Sequence, residues 1–134
     1  MSDLEKHLIT NREGQSLAAE YEKSNYAVIN DKRPSSKPDS KFYTYDLEVL
    51  QEYINLIRDG MEKKGIKNKG IRITLGQYPE SGFDSRLNPI YKGYQTVFFS
   101  AYDLDSNTDT NNEPTDDPGE ELPDMNFGQL CPPY

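Results

Sequence analysis

The chain has no tryptophan, a single cysteine and a single histidine among its 134 residues. Cys131 alone cannot close an internal disulfide, and with only His7 to accompany it, zinc sites built from clustered Cys and His are excluded. A catalytic thiol needs a base to draw off its proton, and the one imidazole lies at the opposite end of the sequence. Long apolar runs are missing as well. Residues 1–10 mix Asp3, Glu5 and Lys6 with Leu4, Leu8 and Ile9, unlike a signal-peptide core, and no stretch approaches the roughly 18 apolar residues of a membrane span. These shortages predict a soluble, cytoplasmic protein with no membrane contact and no cofactor.

Positive charge is absent from one whole segment. Residues 103–134 carry nine Asp and Glu and no Lys or Arg, so the net charge of −8 arises there. This proline-containing stretch has few large apolar residues before Met125, Phe127 and Leu130, and is expected to be a largely irregular acidic tail. Residues 1–102 are then expected to form a single domain. Its core is expected to be small and aromatic, because ten Tyr and five Phe compensate for an apolar content of only 34%.

Thr10-Asn11-Arg12-Glu13 has the form of a capping box and predicts a helix over about 11–25, with Leu17, Ala18 and Tyr21 on its apolar face. The polar Pro- and Ser-rich run 30–40 breaks the pattern. A short strand at 41–43 is expected to lead into a helix capped by Thr44. Apolar residues then recur at Leu47, Leu50, Ile54, Ile57 and Met61, joined by Tyr53, until Lys63, Lys64 and a left-handed Gly65 end the helix. Strict alternation over 70–76 marks a strand with Ile71, Ile73 and Leu75 facing that helix, and residues 96–102 read as a more deeply buried strand pairing with it antiparallel. The resulting fold class is α+β, a small antiparallel sheet packed on one or two helices with an extended acidic C-terminal tail.

The run Phe42-Tyr43-Thr44, Leu47-x-x-Leu50, Tyr53-Ile54, Gly70-Ile71-Arg72-Ile73-x-Leu75-Gly76-x-Tyr78-Pro79 and Thr96-Val97-Phe98-Phe99 resembles a group of small uncharacterised bacterial proteins. Their C-terminal Asn-x-Gly-x-x-Cys-Pro-Pro ending is similar to Asn126 through Pro133 here. The resemblance covers roughly half the chain and implies no activity.

Asp103, Asp105, Asn107 and Asp109 have the alternating oxygen-ligand spacing with which calcium loops begin, but Thr108 stands where the sharp turn needs Gly, and Glu113 falls one residue short of the bidentate position. A solvated polar linker is the favoured reading. Lys63, Lys64, Lys67, Lys69 and Arg72 form a basic cluster, yet a pI near 4.6 argues against nucleic acid; masking of this patch by the acidic tail is the subtler alternative. The segment Met125 to Tyr134, which ends in Cys131-Pro132-Pro133-Tyr134, is expected to be a short hydrophobic and proline-rich motif that docks on its own domain or on a partner. Arg72, Tyr78, Arg86, Tyr91 and Tyr94 are the candidate lining of a small binding site, offering a guanidinium fork for an anion and aromatic stacking surface, although structural aromatics and a surface loop are the favoured reading. No carboxylate pair, Ser–His pair or phosphate loop accompanies them, so the chain reads as a non-enzymatic interaction or regulatory module. Its expected partner is another protein, met through the sheet edge or the Tyr-rich loop, and the alternative is a small-molecule or calcium-binding protein. The oligomeric state is not fixed by the sequence.

Overall fold

A computed structural model of the chain describes residues 3–82, 84–105 and 122–132, together with the main chain alone at 108–109. The fold is α+β. The chain forms two compact units, Met1–Asp39 and Ser40–Tyr134, where the charge distribution had placed one domain over 1–102 and a tail from 103. Among the described residues no helix is long and apolar enough to cross a membrane.

The first unit is helical. Thr10 caps α1 (Asn11–Tyr21), its Oγ1 accepting the Glu13 N–H at 3.1 Å, as the capping box predicts. The helix continues through a π-helical stretch, Glu22–Tyr26, into α2 (Ala27–Asn30). The polar connection then folds back on it. Asn30 Oδ1 accepts the Asp39 N–H, and the Tyr26 hydroxyl donates to the Asp39 carbonyl, both at 2.7 Å.

The second unit is built on α3 (Leu47–Lys63) and a three-stranded antiparallel sheet of β2 (Lys69–Gln77), β3 (Gln95–Asp103) and β4 (Thr108–Asp109), in the order β2-β3-β4. The cap of α3 is Asp46, whose carboxylate accepts the N–H groups of Glu48 and Val49. The expected cap, Thr44, instead lies in β1 (Phe42–Thr44), paired opposite Gln129. A Schellman arrangement closes the other end: the Gly65 N–H reaches the Glu62 carbonyl and the Ile66 N–H the Met61 carbonyl, both at 3.0 Å, with Gly65 at φ 78°.

Of the expected helical stripe, Ile57 and Met61 are buried with Tyr53, against Ala101 and the partly buried Phe99 of β3. Leu50 and Ile54 are half-buried, and Leu47 is exposed. The helix thus lies over β3 and leaves β2 largely uncovered. In the β2–β3 register Ile71, Ile73 and Leu75 stand opposite Ala101, Phe99 and Val97, on the face toward the helix as expected. Their cover is missing: Ile71 is 42% exposed, Ile73 61% and Leu75 72%.

The last described segment, residues 122–132, is built into this unit. Leu122 packs on Gly60, and the Tyr53 hydroxyl lies 2.9 Å from the Pro123 carbonyl and 3.0 Å from that of Phe99. Met125 bridges to Phe99, Gly128 lies under the Tyr45 ring, and β5 (Gln129–Cys131) pairs antiparallel with β1. Leu130 is completely buried among Tyr78, Leu87, Tyr91 and Tyr94. The short strand ahead of α3 therefore belongs to a separate two-stranded sheet with the C-terminal segment, not to the main sheet. Of the C-terminal strap, the motif expected to dock on its own domain or on a partner, Leu130 is buried and Met125 half-buried in this unit, while Phe127 is 41% exposed.

Candidate functional site

The five residues proposed to line one site divide into three groups. Tyr91 and Tyr94 are 8% and 3% exposed, and with Tyr78, Leu87 and Leu130 they form the second core cluster. Tyr78 and Tyr91 stack at 6.4 Å with their planes 11° apart. Arg72 is elsewhere, its guanidinium 4.2 Å above the Tyr102 ring on the sheet face away from α3. Only Tyr78 and Arg86 meet at a common opening, an open cleft of about 420 Å³ also lined by Gly76, Thr96, Asn126 and Phe127.

The base of that cleft is a closed ring of hydrogen bonds. The Tyr78 hydroxyl donates to Asn126 Oδ1, the Asn126 amide donates to Thr96 Oγ1 at 3.3 Å, and the Thr96 hydroxyl returns to the Tyr78 oxygen at 3.3 Å. The same Asn126 amide also reaches the Val97 carbonyl at 2.7 Å. Each member orients the next, so the ring fixes the strap against β3 and uses the polar groups it presents. Asn126 and Thr96 carried no signal of this role in the sequence, because their meeting depends on contacts some 30 positions apart.

At the rim Arg86 lies 4.4 Å above the Phe127 ring and is held by Asp84 through two side-chain contacts of 3.1 and 2.8 Å. The side-chain hydrogen bonding from Arg86 lowers the Asp84 carboxyl to about 2, and the same bonding raises the guanidinium of Arg86. Its fork already holds a carboxylate, which weakens its offer to a further anion. Tyr45 donates to the Val97 carbonyl at 3.2 Å and packs edge-on against Phe99; burial, chiefly, raises its phenol above the ordinary value.

The calcium-type run is only partly described. Asp103 ends β3 and accepts the Asp105 N–H at 3.0 Å, while Asp105 accepts the Asn68 amide at 3.2 Å. The main chain at 108–109 turns back onto β3 as β4, and Asn107 and the Asp109 side chain lie outside the described residues. Among the described residues no three His, Cys, Asp or Glu side chains converge. In the basic cluster Lys69 lies 3.7 Å from Glu62, and Lys63, Lys64 and Lys67 are exposed. Of the acidic tail 103–134, whose masking of this patch is the subtler alternative, residues 110–121 lie outside the described residues. Cys131 is half-buried in β5, its carbonyl accepting the Lys41 N–H at 2.7 Å.

The second opening is a groove of about 320 Å³ between α3 and β2, lined by Ile54, Ile57, Arg58, Met61, Lys69, Gly70 and Ile71. It runs into the exposed Ile71-Ile73-Leu75 stripe, giving a continuous apolar strip along the open side of the helix. Sequence periodicity located this stripe but assigned it to the core. A comparison of the chain with known protein families, curated proteins and solved structures finds no match.

Proposed function

We propose that this protein is a non-catalytic interaction module that engages another polypeptide through β2. One observation carries this reading: the outermost strand presents Ile71, Ile73 and Leu75 to solvent beside an apolar groove. Exposed apolar strips next to an unpaired strand are the features by which sheets accept an added strand, main-chain bonds supplying affinity and alternate side chains specificity. Among the described residues β2 pairs with β3 alone.

The small-molecule reading is second, and rests on the cleft of Tyr78, Arg86 and Asn126. The two are separated by comparing what the full chain, Ile73→Asp and Arg86→Ala retain from an extract of the source cells. Retention lost in Ile73→Asp and kept in Arg86→Ala supports the β2 surface. Equal retention by all three counts against it.

A further inference from the structure

The main-chain groups of β2 alternate in phase with those of β3. Phe99 uses both its N–H and its carbonyl toward Met125, on the side of β3 away from β2. In an antiparallel ladder this makes Ile73–Phe99 a pair that exchanges no hydrogen bonds, so the N–H and C=O of Ile73 point out from the edge of β2 that has no partner strand among the described residues. By alternation Lys69, Ile71, Leu75 and Gln77 do the same. The Tyr78 N–H bond to the Tyr94 carbonyl, 2.9 Å, fits this phase, since it lies an odd number of residues from Ile73.

The sequence of this edge is close to a palindrome about Ile73: Gly70-Ile71-Arg72-Ile73-Thr74-Leu75-Gly76. We infer that β2 pairs antiparallel with β2 of a second copy, with the two-fold axis at Ile73. This rests on the proposed interaction surface and names its partner. Ile73 then faces Ile73, Ile71 faces Leu75 and Gly70 faces Gly76. Residues that direct main-chain groups outward oppose one another, as hydrogen-bonded pairs require.

Side chains and charge agree with this register. Every apolar residue of the stripe meets an apolar residue on the same sheet face. Arg72 meets Thr74 and Lys69 meets Gln77, so no like charges oppose, a pairing that would destabilise the ladder. A shift of one residue would set outward-pointing groups against inward-pointing ones, and a shift of two would leave the ends of the stripe unmatched.

Helix α3 lies on the same face as the stripe, over β3. In the paired sheet the two β3 strands are three strand spacings apart, about 14 Å, not far beyond the 8–10 Å at which helices pack. The two helices would flank a strip of six Ile and Leu side chains, closing the groove of each copy from the side. The pairing uses the outer β2 edge of both copies, so it stops at a dimer, an isologous arrangement.

The test is site-specific cross-linking in the full chain carrying Cys131→Ser. A hydrogen-bonded antiparallel pair holds Cα atoms about 5.5 Å apart, within disulfide reach, so Ile73→Cys should oxidise to a covalent dimer. Leu75→Cys should not, because the two copies of that position lie about 13 Å apart along the strands. Sedimentation equilibrium of the unmodified chain should give a dimer, and Ile73→Asp, at an exposed site, a folded monomer. A monomer at every concentration, or cross-linking at 75 as readily as at 73, overturns the self-pairing. Partner retention that still depends on Ile73 would then leave the interaction surface standing, and retention independent of Ile73 would remove both.

Discussion

Met125 and Phe99 exchange two main-chain hydrogen bonds, each of 2.9 Å. That pair ties the C-terminal segment to the central strand and also determines which groups of β2 point outward. The strap and the outer β2 edge are two sides of one ladder.

Removing the strap should therefore cost the fold. Leu130 is fully buried, and Leu130→Ala is expected to destabilise the protein by about 2–5 kcal/mol in urea unfolding. A chain ending at Tyr102 should lose cooperative unfolding of its second unit. Unchanged unfolding of that truncated chain would show that the strap is dispensable.

Gly128 is required for space. A Cβ there would stand 2.6 Å from the Tyr45 ring. Gly128→Ala should cost about 1–3 kcal/mol, and most of that should disappear in a Tyr45→Ala background if the clash is the cause. Additive effects in the double-mutant cycle would place the cost elsewhere.

The ring of Tyr78, Asn126 and Thr96 makes a further prediction. Asn126→Ala leaves the Tyr78 hydroxyl without its acceptor and the Val97 carbonyl without its shorter hydrogen bond, and is expected to cost about 1–3 kcal/mol in the same assay. A cost well under this would mean that water replaces Asn126 without penalty.

Tyr45 sets an alkaline limit. Its phenol is raised above 10.0, mainly by burial, so the unfolded chain releases that proton at lower pH than the folded protein. The stability linked to Tyr45 is fully present below pH 10.0 and is lost as pH rises through the higher folded value. Tyr45→Phe should flatten this part of the stability–pH curve, measured by urea midpoints on either side of the unfolded value.

The elements legible in the sequence are those set by neighbours along the chain. The Thr10–Glu13 cap, the Gly65 terminator and the alternation of β2 each depend on a few adjacent residues, and each is present as expected. Thr44 and Asp46 are both good caps, and the choice fell to Asp46 because Thr44 is engaged opposite Gln129, a pairing no local pattern encodes. Tyr91 and Tyr94 fit either a binding surface or structural aromatics, the favoured reading, because aromatic residues in a loop look alike whether they face water or Leu130. The Ile71-Ile73-Leu75 stripe shows the same limit from the other side. Alternation fixes which face is apolar but says nothing of whether a helix of the same chain or a second polypeptide covers it.

Amide hydrogen exchange along β2, followed residue by residue over a range of protein concentrations, is the most direct measurement of what covers this edge. The account predicts that Arg72 and Thr74, whose N–H groups face β3, are protected throughout, and that Ile71, Ile73 and Leu75 gain protection as concentration rises. Fast exchange at Ile71, Ile73 and Leu75 at every concentration would contradict it.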